Sequence, residues 1–419
     1  MAKPQIFYGW INVAILFTLA LFIWGPHYSY GVFFKPLASE FSWSRTEVSA
    51  AMTINLMVGG LLGFFAGTLS DRYGAKKVMY GSALFIGAGY LLLTQLGSLW
   101  QLYLWFGLIV GIGTSTAYIV PAATVSRWFV AKRGLGLSIT LMGMGLAQVL
   151  PPPAIATAIG WYGWRSTYLI IAVTLTVLIF TLASFLKNSP EDYGMQPDGV
   201  RKAQDFKPSG SKVTLEGFTI KESIRLPAFW LLLLLWLLLA LPVFVALVHV
   251  VPMATDAGID PVSAATIISF MGLAGIAGRL VFGYSCDRWG CRAIGTTCFI
   301  LFTMSMIGLA FARTLPVFYV TAIFFGATYT GADTALVKMV GDFFGRRYVG
   351  GLMGLLALGW RIGASSGALI GGLAYDITGR YQSSFAIGAS SGVIAAILMF
   401  IIFKYKPAAF PGYSQSQNV

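Results

Sequence analysis

The chain has 419 residues, 57% of them hydrophobic and only 10% charged, with 28 Lys and Arg against 15 Asp and Glu for a net charge of +13. Soluble domains carry about 25% charged residues. Together with a mean hydropathy of +0.77, this excludes a soluble globular domain and identifies an integral membrane protein.

In chain order, apolar stretches near 20 residues recur along almost the whole length, each enough for one transmembrane helix. The expected spans lie at roughly 10–32, 46–68, 77–96, 100–126, 134–158, 166–187, 227–251, 262–285, 291–312, 315–341, 348–374 and 382–404. The alternation of a transmembrane β-barrel is absent, so the expected fold class is an all-α membrane protein of twelve helices. The first span is too long, and preceded by too little basic charge, for a cleavable signal peptide. Cys286, Cys291 and Cys298 show no zinc or redox spacing, and no disulfide network is expected.

On these spans 20 of the 28 basic residues fall on one side, including Lys3, Arg72, Lys76, Lys77, Arg127, Lys132, Arg133, Arg288, Arg292 and seven between Lys187 and Arg225. Only Lys35, Arg45, Arg165, Arg313 and Arg380 face the other. The positive-inside rule then makes both termini cytoplasmic. The basic balance reports topology beside an anionic leaflet, with no nucleic-acid partner implied.

Three cations remain inside spans: Arg279, Lys338 and Arg361. Lys338 lies near the cytoplasmic end of its helix, where a long side chain can snorkel. Arg361 is near mid-depth, as is one carboxylate, Asp333. Arg279 interrupts the run from Pro261 to Cys286, and an ionised side chain near the bilayer centre costs at least about 2.5–3.5 kcal/mol. A buried cation needs an anionic partner. The protein offers one deep carboxylate for two deep arginines, so a transported anion is a candidate for the missing charge.

An internal repeat organises the chain. GTLSDRYGAKK from Gly67 and GYSCDRWGCR from Gly283 share G-x-x-x-D-R-x-G at an offset of 283 − 67 = 216. RWFVAKRGLGL from Arg127 and DFFGRRYVGGL from Asp342 match at 215, and GWYGWRSTYL matches YDITGRYQSSF at about the same period. Two six-helix halves follow, 1–187 and 227–419, joined by a polar cytoplasmic linker over 188–226 rich in Pro, Gly and Lys. An even number of spans makes the halves parallel repeats about an axis along the membrane normal, as in rocker-type secondary transporters.

The two G-x-x-x-D-R-x-G loops, after spans two and eight, the twelve spans and the central linker resemble the major facilitator superfamily over nearly the whole chain. YGVFFKPLASEF, DRYGAKKVM, RWFVAKRGLGLS, RLPAFW and AGRLVFGYSCDR further resemble the monocarboxylate transporter family and its bacterial oxalate/formate antiporter branch. The resemblance implies a conformational latch built on Gly67, Asp71, Arg72 and Gly74 and on Gly283, Asp287 and Arg288. In it each Asp complements the dipole at the N-terminus of a helix in the opposite half, with Arg127 a candidate ion-pair partner of Asp71. The alternative is that these are topology signals alone. Glycines on spans four, five and eleven permit close helix approach, and Pro151, Pro152 and Pro153 are expected to bend span five.

By the same resemblance Arg279 is the carboxylate anchor of span eight, and Arg361 falls where oxalate-carrying members place a second cation. A guanidinium fork matches a carboxylate bidentately and stays charged at physiological pH. The competing reading is an internal ion pair with Asp333. If Asp333 releases an arginine on protonation, proton and anion movements become coupled. Proton-coupled members typically use a Lys on span one and an Asp one turn before the span-eight Arg. Here those positions hold Tyr28 and Gly275, which puts the family's usual proton route in doubt. His249 is a second proton-coupling candidate, set against a hydrogen-bonded packing role. Tyr28 and Tyr118 are candidate hydroxyl donors to the anion, set against plain packing.

The expected function is therefore a secondary carrier of a small organic anion, a monocarboxylate such as lactate or pyruvate moving with a proton by alternating access. Oxalate/formate-type exchange is the first alternative and a drug:proton antiporter the second; an exporter of cations would place carboxylates, not arginines, in its cavity. Neither a nucleotide loop nor a metal cluster nor a nucleophile constellation is visible, so no cofactor, no metal and no enzymatic activity are expected. The expected setting is the inner membrane, and the expected working form is a monomer.

Overall fold

The computed structural model describes residues 7–130, 132–190, 195–196, 198, 217–345, 348–405 and 407. Apart from an isolated bridge between Gly217 and Gly345, the regular structure among them is helical. The first helix, α1, runs over Tyr8–Phe41 with a break at Ser29, and is followed by α2 (Arg45–Tyr73), α3 (Ala75–Leu93) and α4 (Leu99–Trp128). Helix α5 (Arg133–Val149) is interrupted at Leu150 and resumes at Pro151. The three prolines lack the N–H groups that would continue the ladder, which accounts for the break. Gly163, with φ 76°, then turns the chain into α6, which ends at Phe185. After the linker come a short helix, Ile220–Ile224, and then α7 (Pro227–Asp256), α8 (Pro261–Trp289), α9 (Cys291–Phe311), α10 (Leu315–Phe344), α11 (Val349–Thr378) and α12 (Tyr381–Ile401).

Nine stretches among the described residues have the length and hydropathy of a membrane span. One of them, Arg133–Phe185, contains both α5 and α6, and α2 and α3 also have spanning length. Among the described residues the long helical bodies therefore number twelve, as the sequence implies. Large apolar side chains on their surface, among them Leu61, Trp161, Leu280 and Ile377, fit a lipid environment, in which a helix satisfies its own backbone polar groups. Most of the linker lies outside the described residues.

The contacts divide the chain into two units, one comprising 1–209 with 251–272 and the other 210–250 with 273–419. In the first, aromatic stacking forms much of the interior. Phe33 lies 4.2 Å from Tyr168 and Tyr30 lies 4.6 Å from Phe106, centroid to centroid. Helix α4 widens into π-type turns over Tyr103–Val110, and the Phe106 carbonyl accepts the Asn55 amide of α2 at 2.8 Å. A wide turn of this kind leaves carbonyls for such side-chain donors. The end of α7 is held by Asp256, which pairs with Lys35 and Arg45, each at 3.1 Å.

In the second unit α7 and α11 pack backbone to backbone. A Cβ added at Gly359, Gly363 or Gly367 would overlap the carbonyl oxygen of Leu233, Leu237 or Leu241 respectively. Three glycines four residues apart thus face three carbonyls four residues apart, and only glycine permits the approach. This contact fixes the rotation of α11 about its axis, and with it the placement of Arg361 between the first two glycines.

The D-R motifs, expected in loops, occupy the last turns of α2 and α8. The turn itself is reduced to one residue in each repeat, Gly74 at φ 86° and Gly290 at φ 84°. Glycine adopts that backbone region without steric penalty, so the next helix starts at the following residue. The repeat is visible in packing too. Gly67 of α2 lies against Ile119 of α4, and Gly283 of α8 lies against Thr334 of α10.

Candidate functional site

Helix α8 carries Arg279 because the segment around it, AGRLVFG, is helical without interruption. Small residues bring it close to α10. A Cβ at Gly278 would overlap the Ala327 backbone, and Thr330 Oγ1 donates to the Gly275 carbonyl at 2.8 Å. With the helices this close, Asp333 of α10 reaches Arg279, and Arg279 Nη2 donates to Asp333 Oδ2 at 3.3 Å. The second carboxylate oxygen accepts from the indole of Trp236 on α7, Nε1 to Oδ1 at 3.1 Å. Three helices of one unit thereby converge on one carboxylate.

The pair is asymmetric in exposure. The Arg279 side chain is 53% exposed and that of Asp333 only 21%. The carboxylate is the fixed member, anchored by an indole N–H, while the guanidinium reaches it from a more open position. Charge-assisted hydrogen bonds of this sort are each about twice as strong as neutral ones. The position one turn before Arg279, where the resembling carriers place an acid, is Gly275. A Cβ there would lie 3.1 Å from the Thr330 methyl. Space that a carboxylate would need is taken by α10, and α10 supplies the acid instead.

Arg361 is half-buried on α11, and its carbonyl accepts the Ser365 hydroxyl at 2.7 Å. Formally, Arg279, Arg361 and Asp333 sum to +1 within the membrane helices of this unit. His249 is fully buried; its Nε2 lies 3.0 Å from the Ala368 carbonyl, its edge packs on Gly371, and its ring centroid is 5.6 Å from that of Tyr381. The carbonyl contact assigns Nε2 as a donor and hence the proton to that nitrogen. Asp287 is bonded within its own unit by Lys338 of α10. Arg288 lies over the Trp289 ring at 5.7 Å.

The remaining candidates belong to the first unit. Tyr28 ends the first segment of α1, stacked on Trp24 at 5.7 Å, and Tyr118 on α4 is 44% exposed. Arg72 is exposed over Tyr73 and Arg127 is half-buried in the last turn of α4. Asp71 lies in α2, but its side chain falls outside those described.

Two residues of this arrangement escaped the sequence reading. Trp236 stands alone in LLLLLWLLLA, and that single indole in a leucine run was the available signal. Lys338 reads as a snorkelling residue until Asp287 is placed beside it.

The sequence matches the family model of the Major Facilitator Superfamily over residues 13–315 and 246–416. It is 25% identical to an uncharacterized MFS-type transporter, YhjX, of Escherichia coli K12 over 82% of this chain and 83% of that protein. It is 26% identical to monocarboxylate transporter 13 of Bos taurus over 94% and 91%, and 25% identical to monocarboxylate transporter 11 of Homo sapiens over 91% and 80%. Two structures of a bacterial homologue of the human lysosomal transporter Spinster align with TM-scores of 0.77 and 0.78, covering 97% of this chain and 98% of theirs at 15% and 14% identity. That last likeness carries the fold alone. The chain therefore belongs to the Major Facilitator Superfamily, as an integral membrane transporter and not an enzyme.

Proposed function

We propose that the protein carries a small organic anion, in the first instance a monocarboxylate such as lactate or pyruvate, together with a proton. The observation that carries this reading is the Arg279–Asp333 pair at 3.3 Å with Trp236 behind the acid. A guanidinium already shaped to a carboxylate can exchange one carboxylate for another. When Asp333 takes a proton it loses its charge and its hold on Arg279, and the substrate carboxylate takes its place. When the substrate leaves, Asp333 re-forms the pair and the proton is released. Each half-reaction keeps Arg279 neutralised, which removes most of the penalty of an exposed charge in the membrane. Names among the relatives, monocarboxylate transporters of vertebrates, support the substrate class.

The chain is further proposed to act as a monomer in the plasma (inner) membrane. Both termini are cytoplasmic in this reading, the halves 1–187 and 227–419 rock about the site, and the D-R motifs serve as latches. Tyr28, Tyr118 and Arg361 contribute to holding the anion. A second reading, dicarboxylate exchange of the oxalate/formate type, is favoured by two observations: Arg361 is a second membrane cation, and Gly275 stands where a proton-carrying acid is expected. Uptake into liposomes of labelled lactate, pyruvate, formate and oxalate, with and without a pH gradient, separates the two. Lactate or pyruvate accumulation driven by an inward proton gradient supports symport; oxalate uptake that needs only internal formate supports exchange; uptake of none refutes both.

A further inference from the structure

Helix α5 breaks at Leu150, and the run Pro151, Pro152, Pro153 removes three N–H groups from the turn that follows. In a continuous helix the Val149 carbonyl would accept from the residue four positions on, and that residue is Pro153. The carbonyl therefore has no helical donor. Within a membrane a group freed in this way is satisfied by a side chain of a neighbouring helix. Ser269 of α8 supplies it: its Oγ donates to the Val149 carbonyl at 2.6 Å. Thr266 and Ser285 of the same helix donate back to their own chain, to the carbonyls of Ser263 and Val281. Ser269 alone of these three reaches across to α5.

Three positions after Ser269, on the same face of α8, Gly272 is buried against α5. A Cβ there would lie 2.6 Å from Gln148 Cβ and 3.2 Å from the Gly145 carbonyl oxygen. Only glycine lets the helices approach closely enough for the serine to reach. Arg279 follows Gly272 by 279 − 272 = 7 residues. Two turns of helix place it about 10 Å along the axis and about 20° from Gly272 around it. The helix is uninterrupted over this length. Whatever fixes the rotation of α8 at Ser269 and Gly272 therefore also fixes the direction in which Arg279 leaves the helix.

We propose that Ser269 is a positioning residue for Arg279: its hydrogen bond seats α8 on the broken turn of α5, so that the bend of α5 and the orientation of the arginine are set together. The consequence for transport rests on Arg279 being the anion anchor. The seat itself does not depend on what is carried.

The test uses the purified full-length protein. Ser269→Ala deletes the donor, Ser269→Thr keeps it, and Pro153→Ala gives the Val149 carbonyl a donor within its own helix. Amide hydrogen exchange over 273–282 should quicken in Ser269→Ala and stay at the wild-type rate in Ser269→Thr. Ser269→Ala should lower the melting temperature in the wild-type background and much less in Pro153→Ala, where the carbonyl is already bonded. In liposomes the half-saturating concentration of lactate or pyruvate should rise about fivefold in Ser269→Ala, the equivalent of one hydrogen bond, and return in Ser269→Thr. A loss of packing alone would lower the maximal rate through the amount of folded carrier and leave half-saturation where it was. Unchanged exchange over 273–282, unchanged half-saturation or an equal melting loss in both backgrounds overturns the proposal. If wild type takes up neither anion, the reading of Arg279 as anchor fails, while exchange and melting still decide on Ser269. Should Pro153→Ala not fold, the contrast between Ser269→Ala and Ser269→Thr decides alone.

Discussion

Asp333 faces Arg279 with one carboxylate oxygen and Trp236 with the other, at 3.3 Å and 3.1 Å. The acid is therefore fixed on the α7 side while its ion pair points to α8. Such an arrangement lets the pair open by loss of the Arg279 contact alone, with the carboxylate staying where the indole holds it. The ionised Asp333 carboxylate and the substrate carboxylate are then alternatives at Arg279, so proton binding at Asp333 and anion binding at Arg279 occur together. This is the coupling on which symport depends in our account.

Asp333→Asn keeps the indole contact possible through the amide oxygen but cannot cycle a proton. Uptake driven by an inward proton gradient is expected to fall at least about tenfold, the equivalent of 1.4 kcal/mol. Exchange of internal for external substrate persists. Gradient-driven and exchange fluxes measured in parallel liposomes check this. Unchanged gradient-driven uptake removes Asp333 from the proton route.

Trp236→Phe retains ring packing and deletes one donor to a charged acceptor. A hydrogen bond to a charged group contributes about 1.5–3 kcal/mol, so the variant should melt at a lower temperature than wild type. Combined with Asp333→Ala, it should cost less than the sum of the two single losses, because the two residues share one contact. Additive losses in the double variant would show that Trp236 acts elsewhere.

The glycine stripe on α11 gives a sharper contrast. Gly363→Ala places a methyl group on the Leu237 carbonyl, and overpacking of this kind costs about 1–3 kcal/mol. Gly354→Ala, on the same helix with no atom within 4 Å of its added Cβ, should be neutral or stabilise by about 0.5–1 kcal/mol through helix propensity. Thermal denaturation of the two in the same detergent decides. Equal behaviour would mean that α7 and α11 are not in backbone contact.

Asp260 begins α8 and accepts the N–H groups of Val262 and Ser263 at 3.0 and 3.2 Å. Its hydrogen bond with the Ser263 side chain, followed by that residue's backbone N–H, holds its pKa below the ordinary carboxylate value. A depressed folded-state pKa adds stability above the unfolded value, near 3.9, and that stability is lost as pH falls through the folded value. Asp260→Ala should therefore destabilise the protein at pH 7 by about 0.5–2 kcal/mol, the usual range for a helix cap. The gap to wild type should narrow below pH 4. A gap independent of pH would exclude the charge as its source.

Much of this was legible in the residues. Twelve helices followed from runs of apolar residues, and the twofold repeat from Asp71-Arg72 and Asp287-Arg288, because both are local patterns that the membrane enforces. The deep charges Arg279, Arg361 and Asp333 were visible because a bilayer makes each of them expensive. Their pairing was legible only as the competing reading, an internal ion pair of Asp333 with one arginine, and which arginine was not. Arg279 and Asp333 are 54 positions apart, and whether they meet depends on how closely α8 approaches α10, which Gly275 and Gly278 decide. Trp236 was hidden for a similar reason, since a tryptophan among leucines reads equally well as lipid-facing. The D-R motifs read as loops because they are polar. In the structure they are helical up to Gly74 and Gly290, where a single left-handed glycine is enough to reverse the chain.

In the proposed cycle Arg279 holds the transported carboxylate. Wild type, Arg279→Lys and Arg279→Ala, reconstituted at equal density in liposomes, should be compared for initial uptake of labelled lactate and pyruvate under an inward proton gradient. Near-complete loss is expected in Arg279→Ala and partial retention in Arg279→Lys, which keeps the charge but not the bidentate fork. Wild-type uptake by Arg279→Ala would contradict it.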